Sequence, residues 1–254
     1  MDENIELLIN EFKKISQKGW IESISKSFGS IGLTFENEIL KKADAMYFPD
    51  FRNIEIKCTS RYSRYPLYLL TVAFDGPTFP EINRIVSKYG WYDKVYTDKK
   101  VLWTKLKCKE KIIVNNKYKF KLEFDNQREK MYLCVYDLKD NLLEKDSFVY
   151  TSKINSHFIL KLKKLAIVHA STKKIDNKKH FRYYKIDIYE LININKIIDL
   201  IEEDIIKISL ISRIGKSGED AGRYRNKNLV FEIEKDNIGK LFNKICSYNH
   251  DDKY

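Results

Sequence analysis

Apolar residues recur with two different periods in the first sixty positions. Over residues 4–18 they follow helical spacing with charged residues between them: Ile5, Leu8, Ile9, Phe12 and Ile15. This spacing predicts an amphipathic helix, with Gly19 suited to its C-terminus. Residues 53–59 alternate instead, which predicts a strand carrying Glu55 and Lys57 on its polar face.

A second and a third helix are predicted between these elements. Residues 20–28 are expected to form a short helix. The third begins near Thr34, a suitable N-cap, and its apolar arc places Glu36 inside and Glu38 outside. An inward glutamate needs an ion, a partner or water, whereas one at the edge of the arc reaches solvent. Helix geometry alone leaves both alternatives open for Glu36.

The middle of the chain is typical of β-structure. The apolar run at 67–74 predicts a buried central strand beside the strand at 53–59. Turn signals at Asn115–Asn116 and at 139–141 separate further runs, which predicts an antiparallel meander. The strand-like runs are 101–106, 110–114, 117–124, 130–137 and 146–150.

The last hundred residues mix both element types around a lysine-rich segment. Residues 171–180 are expected to be a charged loop, either a solvated hairpin tip or a phosphate contact. The predicted strands are 165–170, 181–188, 205–212 and 229–233. The predicted helices are 152–162, 191–202 and a final one that Asp236 caps and that carries Ile238, Leu241, Phe242 and Ile245.

Charge and composition narrow the class of protein. The 254 residues include 47 Lys and Arg against 36 Asp and Glu, a net charge of +11. This excess indicates a polyanionic partner, although a generic basic surface explains it equally well. The four cysteines form no CxxC pair, the N-terminus lacks a signal peptide, and no apolar run is long enough to cross a membrane. A cytoplasmic protein without membrane association is expected.

Three charged residues suggest hydrolytic chemistry. Asp50 follows the helix-breaking Pro49, and Glu55 and Lys57 follow on one strand face. Two carboxylates can hold Mg²⁺, and an amine beside them can approach an attacking water or a phosphate. The pattern is weak by itself, because a solvent-facing strand looks the same locally.

The wider sequence around these residues resembles the MvaI/BcnI restriction endonuclease family, and more distantly the mismatch-repair nicking enzyme MutH. The resemblance is carried by Lys18-Gly19-Trp20-Ile21, by Gly32-Leu33-Thr34-Phe35-Glu36 and by Pro49-Asp50 with Glu55-Ile56-Lys57. Segments at 165–170, 181–184, 212–215 and 229–233, followed by Leu241-Phe242, come in the family's order. The resemblance covers most of the chain except about 95–150.

The resemblance implies an α/β (α+β) fold of the PD-(D/E)XK type, a mixed β-sheet flanked by helices with an added DNA-recognition lobe. On this basis residues 1–94 form the catalytic core. Residues 95–160 form a mainly β meander that contributes to a DNA cleft. Residues 161–254 supply the remaining core strands and the recognition lobe.

The resemblance also implies roles for individual residues. Asp50 and Glu55 would bind Mg²⁺, replaceable by Mn²⁺, while Lys57 would position or activate water and Glu36 would support the site. The substrate would be double-stranded DNA, cut by a monomer, and a cognate DNA methyltransferase is expected as the genetic partner.

Two basic segments are expected to bind DNA. Arg61 and Arg64 directly follow the catalytic strand, where they either hold phosphates or belong to a polar loop. The second segment, flanked by glycines, supplies Arg213, Lys216, Arg223, Tyr224, Arg225, Asn226 and Lys227. The family often carries a His-containing segment there, which this chain lacks. These side chains suit base edges as well as phosphates, and both kinds of contact are expected.

Together these features predict a type II-like restriction endonuclease that hydrolyses phosphodiester bonds at specific sequences in double-stranded DNA. One alternative is a MutH-like repair enzyme that nicks one strand. The other is a non-catalytic DNA-binding protein.

Overall fold

The computed structural model describes residues 2–27, 29–39 and 49–250. The helices, in chain order, are α1 (Glu3–Gln17), α2 (Ser30–Glu38), α3 (Glu81–Tyr89), α4 (Thr151–Leu162), α5 (Lys196–Glu202) and α6 (Ile238–Leu241). The strands of the first half are β1 (Ile21–Glu22), β2 (Glu55–Ser60), β3 (Leu67–Val72), β4 (Trp91–Tyr92), β5 (Lys100–Leu106), β6 (Ile112–Val114) and β7 (Tyr118–Phe124). Those of the second half are β8 (Lys130–Asp137), β9 (Leu142–Tyr150), β10 (Lys164–Ile175), β11 (Lys178–Leu191), β12 (Ile206–Ile214), β13 (Tyr224–Ile233) and β14 (Phe242–Asn249).

The chain forms two compact units, each assembled from separate stretches of sequence. Unit 1 comprises Met1–Leu67, Phe158–Ile194 and Lys235–Tyr254. Unit 2 comprises Tyr68–His157 and Asn195–Glu234. Both units draw on more than one of the three predicted segments, whose catalytic, cleft and recognition roles stay predictions.

Unit 1 is built on a mixed sheet in the order β1-β11-β10-β2, with β14 also paired to β11. The pairing of β2 with β10 is parallel, and Glu55 lies opposite Leu165. The pairing of β10 with β11 is antiparallel. The predicted mixed sheet is therefore present, and β2 lies at its edge.

Unit 2 contains two further sheets, in the orders β3-β13-β12-β5-β4 and β6-β7-β8-β9. The second is the predicted antiparallel meander, and Asn115 and Asn116 form its first turn with φ values of 54° and 52°. The run at 101–106 is not part of this meander, because β5 pairs with β12 instead.

The core of unit 1 lies between the sheet and its first two helices. Asp2 caps α1 by accepting a hydrogen bond from the backbone of Asn4 at 2.9 Å, and Gly19 adopts the predicted left-handed conformation after it. The ring of Phe35, fully buried, lies 6.3 Å from that of Phe12 and 5.0 Å from that of Tyr183. These contacts fix α2 on the sheet.

Two predictions for the N-terminal region are wrong. Within 20–28, Ile21 and Glu22 form strand β1 rather than a helix, because they pair with β11. Helix α2 begins at Ser30 rather than near Thr34, whose buried hydroxyl accepts a hydrogen bond from Ile24 N at 3.3 Å. Residues 40–43 of the predicted helix lie outside the described residues.

The buried strand predicted at 67–74 exists, but it lies at one end of its sheet order rather than at the centre and has a different neighbour. Strand β3 pairs with β13, whereas β2 pairs with β10. An apolar run shows that a strand is buried, but it does not identify the strand that will pair with it. The prediction that these two strands lie side by side is therefore wrong.

The C-terminal third also departs from expectation. Residues 171–180 are the ends of two long strands joined by a turn at Asp176–Asn177, both with positive φ, so the loop is only the hairpin tip. The predicted final helix stops at Leu241. Phe242 begins β14, whose pairing with β11 overrides the helical spacing of its apolar residues.

Helices long and apolar enough to cross a membrane are not found among the described residues.

Phe35 provides a test of this packing. Phe35→Ala is expected to lower the free energy of unfolding by about 3–5 kcal/mol, because it empties the space between Phe12 and Tyr183. Leu33→Ala, at an exposed position of the same helix, should change it by no more than about 0.5 kcal/mol. Urea unfolding followed by circular dichroism measures both, and equal values for the two variants would contradict this packing.

Candidate active site

The strand that carries Glu55 and Lys57 is buried on one face and lined with charge on the other. Ile54 and Ile56 point into the core beneath α1 and α2. Glu55 and Lys57 point to the opposite face, as the alternation predicts. Neither is fully exposed, since the Glu55 side chain is 1% exposed and that of Lys57 is 16% exposed. A solvent-facing strand is thereby excluded.

Asp50 is brought to this strand by a tight turn. Phe51 and Ile54 exchange two backbone hydrogen bonds, of 2.9 and 2.8 Å, and Arg52 between them has a φ of 53°. Asp50 Oδ2 accepts a hydrogen bond from Ile56 N at 3.0 Å. The carboxylate of Asp50 is thus fixed against the residue that separates Glu55 from Lys57.

Glu55 is a buried carboxylate held by two lysines. Lys57 Nζ donates to Glu55 Oε1 at 2.5 Å, and Lys161 Nζ lies 3.5 Å from the same oxygen. Burial raises the pKa of the Glu55 carboxyl above its usual value, opposed by the charge of Lys57 and assisted by that of Asp50. The structure therefore brings Asp50, Glu55 and Lys57 together as predicted.

Lys161 was not anticipated from the sequence. It lies in the last turn of α4, and the parallel pairing of Leu165 with Glu55 places this turn at the start of β2. The helix was predicted, but the strand it leads to could not be matched with β2 from periodicity alone. Only the long-range register identifies Lys161 as part of the site.

The site suits a divalent cation that prefers oxygen ligands. Glu55 Oε2 is buried and makes no hydrogen bond within the described part of the chain. Across residues 2–27, 29–39 and 49–250, no three His, Cys, Asp or Glu side chains group to hold a metal ion. Among the described residues, Asp50 and Glu55 bring two carboxylates to this strand. Mg²⁺ commonly takes only one or two carboxylates and fills its other positions with water and substrate phosphate.

Glu36 lies on α2, and its charge acts on a residue of β2 that Asp50 also affects. Its carboxylate folds back over the preceding helical turn, where Oε1 would lie 3.7 Å from a Cβ added at Gly32. Burial raises the pKa of the Cys58 thiol, and the charges of Glu36 and Asp50 raise it further. Glu36 and Asp50 thus act on a common neighbour, and the supporting role of Glu36 stays a prediction.

Arg61 and Arg64 are exposed at the end of β2, as expected. Arg61 N donates to Ala170 O at 2.9 Å, which ties the turn to β10. The guanidinium group of Arg61 lies 5.7 Å from the ring centre of Tyr184 and 5.9 Å from that of Tyr62. These contacts leave Arg61 at the surface next to β2.

The basic segment of unit 2 contains the start of β13 and its pairing with β12. Arg213 lies directly opposite Arg225, and both side chains are exposed. Like charges at paired positions repel each other, although Arg225 also forms an ion pair with Asp220. An anion placed over the two guanidinium groups would relieve this repulsion.

The other predicted residues of this segment differ in their exposure and in their contacts with other side chains. Arg223, Tyr224 and Lys227 are exposed, and Lys227 Nζ lies 5.5 Å from the ring centre of Tyr68. Lys216 forms an ion pair with Asp93. Asn226 accepts from Ser212 Oγ at 2.6 Å and donates to Asn83 Oδ1 at 2.8 Å.

Trp103 is an additional surface residue that the sequence analysis missed. Its side chain is half exposed, and the guanidinium group of Arg213 lies 5.7 Å from its ring centre. Both residues line an open cavity of about 280 Å³. The alternation of Trp103 with the buried Leu102 and Thr104 was the signal available in the sequence.

The chain is similar to known restriction endonucleases in sequence and in structure. The model of the MvaI/BcnI restriction endonuclease family matches residues 9–242. A solved complex of the restriction endonuclease MvaI with its cognate DNA substrate is similar to the chain, with a TM-score of 0.88 and 23% identity, covering 98% of this chain and 99% of that chain. The structure of MvaI in the absence of DNA gives a TM-score of 0.58 and 21% identity, with coverages of 96% and 97%. No curated protein sequence matches the chain. The structural similarity confirms the predicted fold class.

The buried Glu55 carboxylate predicts a pH-dependent stability difference. A carboxyl whose pKa is raised on folding stabilises the protein below its unfolded pKa, and this contribution is lost as pH rises through the folded pKa. At neutral pH, the free energy of unfolding of Glu55→Gln is therefore expected to be higher than that of the wild type. The difference should disappear below about pH 4.5.

Chemical unfolding at several pH values measures this difference. Glu11→Gln, which removes a partly exposed carboxylate paired with Lys14 on α1, is the control and should change stability by no more than about 0.5 kcal/mol. A wild-type protein that is the more stable of the two at neutral pH would contradict the assignment of burial as the dominant effect on Glu55.

Proposed function

The chain belongs to the MvaI/BcnI restriction endonuclease family, and we propose that Asp50, Glu55 and Lys57 form the site where it hydrolyses phosphodiester bonds of double-stranded DNA. It is a type II restriction endonuclease. The observation that carries the site assignment is the buried Glu55 carboxylate, which joins two lysines while one of its oxygens makes no hydrogen bond within the described residues.

Asp50 and Glu55 would hold the metal ion, for which we propose Mg²⁺ with Mn²⁺ as a substitute. When bound, the cation supplies positive charge to the scissile phosphate and stabilises the transition state. Asp50 is already oriented by its hydrogen bond from Ile56 N, so it reaches the site without rearrangement of the strand.

Lys57 and Lys161 have different tasks in this proposal. Lys57 shares the strand face with Glu55 and presents its ammonium group to the attacking water or to a phosphate oxygen. Lys161 approaches Glu55 from α4 and keeps this carboxylate ionised, as a metal ligand must be. Lys161 is thus a positioning residue.

Recognition of DNA would use the exposed basic side chains. Arg61 and Arg64 stand beside the catalytic strand and suit phosphates near the cut. In unit 2, the paired Arg213 and Arg225 suit either phosphate oxygens or guanine edges, which arginine contacts with two hydrogen bonds. The solved complex of MvaI with cognate DNA supports double-stranded DNA as the ligand.

The biological setting in this proposal is a restriction–modification system. The enzyme would act in the cytoplasm as a monomer, with a cognate DNA methyltransferase as its genetic partner. Glu36 would support the metal site from α2.

Plasmid digestion tests this proposal. The wild type with Mg²⁺ is expected to give discrete fragments, whereas Asp50→Ala and Lys57→Ala should abolish cutting and still bind DNA. Lys14→Ala, which removes an exposed lysine from α1, is the control and should cut normally.

Two other results would point elsewhere. A product that remains nicked and never becomes linear would favour a MutH-like enzyme. An intact plasmid under varied sequence and methylation contexts, together with normal DNA binding, would favour a non-catalytic DNA-binding protein.

The role of Lys161 leads to a separate prediction. Since its charge lowers the pKa of Glu55, Lys161→Ala should raise that pKa and move the acidic limb of the pH–activity profile to higher pH. Cleavage on that limb should fall roughly ten-fold for each pKa unit gained. Lys163→Ala, an exposed lysine just beyond α4, is the control, and an unchanged acidic limb in Lys161→Ala would rule out this role.

A further inference from the structure

A second charged cluster lies in unit 1, centred on Asp187 of β11. This side chain is 3% exposed and receives four partners. Its Oδ2 atom lies 3.0 Å from both His169 Nε2 and Lys185 Nζ. Its Oδ1 atom accepts from Ser247 Oγ at 2.7 Å and from Lys244 Nζ at 3.1 Å.

The cluster carries more positive than negative charge. Burial disfavours the charged Asp187 carboxylate, but hydrogen bonds from His169, Ser247, Lys185 and Lys244 lower the pKa of its carboxyl below the usual value. Two lysines against this one carboxylate leave a net charge of +1 before the histidine is counted. The excess lies near the surface, since the side chains of Lys185 and Lys244 are 33% and 45% exposed.

Strand register puts this cluster on the same face of the sheet as the catalytic residues. Lys57 lies opposite Ile167, which lies opposite Asp187, so the three side chains share one face. Thr59 lies opposite His169 in the same way. With about 4.8 Å between strands and about 3.3 Å per residue, the His169 and Lys57 backbones are on the order of 8 Å apart.

A β-bulge extends the positive surface toward Arg61. The register of β10 with β11 shifts between His169 and Ala170, which lie opposite Lys185 and Tyr183, so Tyr184 is the bulged residue. The Tyr184 ring lies 6.3 Å from the His169 ring, and the guanidinium group of Arg61 lies 5.7 Å from its centre. Bulges are common beside active sites because they re-aim a side chain. Here the bulge places Tyr184 between Arg61 and His169.

We propose that His169 and Lys185, held in place by Asp187, bind a phosphate of the DNA strand that neighbours the scissile phosphate. They would be positioning residues that set the DNA backbone over Glu55 and Lys57. A DNA strand carries one phosphate per about 3.4 Å along the helix axis, so a neighbouring phosphate lies within this range of the catalytic lysine. The inference rests on the proposed function, since it requires that DNA be cut at the Glu55–Lys57 site.

The cluster also holds strands β10, β11 and β14 together. This structural role requires fewer of its polar groups than anion binding does. One lysine with Ser247 would be enough to neutralise Asp187. In the protonated imidazole both ring nitrogens donate, so His169 Nε2–H can hold Asp187 Oδ2 while Nδ1–H donates to an anion. The second lysine and this nitrogen are what an anion would use.

The salt dependence of DNA binding distinguishes these roles. Each lost phosphate contact reduces the slope of log K against log salt by about 0.9, whereas a loss of fold lowers the active fraction without changing the slope. Wild type, Lys185→Ala and Lys185→Arg would be titrated with a duplex in Ca²⁺ to prevent cutting. Between about 50 and about 200 mM salt, the wild type should lose about 3.5-fold more affinity than Lys185→Ala. Lys185→Arg should retain the wild-type slope.

Two further variants complete the experiment. His169→Ala should weaken binding of the same duplex at low salt while its thermal unfolding stays that of a folded protein. Lys14→Ala removes an exposed lysine from α1, on the opposite face of the sheet, and should keep the wild-type slope and affinity.

The outcomes separate this inference from the proposed function. A wild type that binds no duplex would overturn both. A wild type that binds and cuts DNA, together with an unchanged slope in Lys185→Ala, would overturn the phosphate site alone and leave Asp187 as a structural link between strands.

Discussion

The structure of the site depends on keeping one negative charge inside the protein. Burial makes the ionised Glu55 carboxylate unfavourable, and Lys57 and Lys161 offset that cost from the strand itself and from α4. Lys161 reaches Glu55 only when β10 is paired with β2, because α4 leads directly into β10. The core beneath α1 and α2 then serves to hold β2 rigid, since a shift of one residue would turn Glu55 into the apolar side.

The position of β2 at the edge of its sheet explains the part played by Asp50. An edge strand leaves backbone groups unpaired, and such groups attract other strands. Ile56 N–H is occupied by Asp50 Oδ2, so the same side chain satisfies the edge and stands beside Glu55. One hydrogen bond thus links the integrity of the sheet to the geometry of the carboxylate pair.

Local periodicity predicted much of this fold and most of the site. It identified α1, the alternation of β2 and the meander, because each is decided by neighbours in sequence. It could not identify β10 as the partner of β2, and therefore missed Lys161 and the Asp187 cluster, which exist only through long-range register. At the C-terminus, apolar spacing from Ile238 to Ile245 favoured a helix, while pairing with β11 made Phe242 the start of a strand. Tertiary contacts prevailed over local preference there.

The parallel pairing of β2 with β10 also determines when, during synthesis, the residues around Glu55 can come together. A ribosome completes β2 well before it makes α4 and β10, since the first stretch of unit 2 lies between them in the chain. A nascent chain at that stage holds Glu55 and Lys57 without Lys161 or a partner strand, and long-range pairings form only after the intervening residues exist. The surroundings of Glu55 are therefore completed only after α4 and β10 have been made, about a hundred residues after β2.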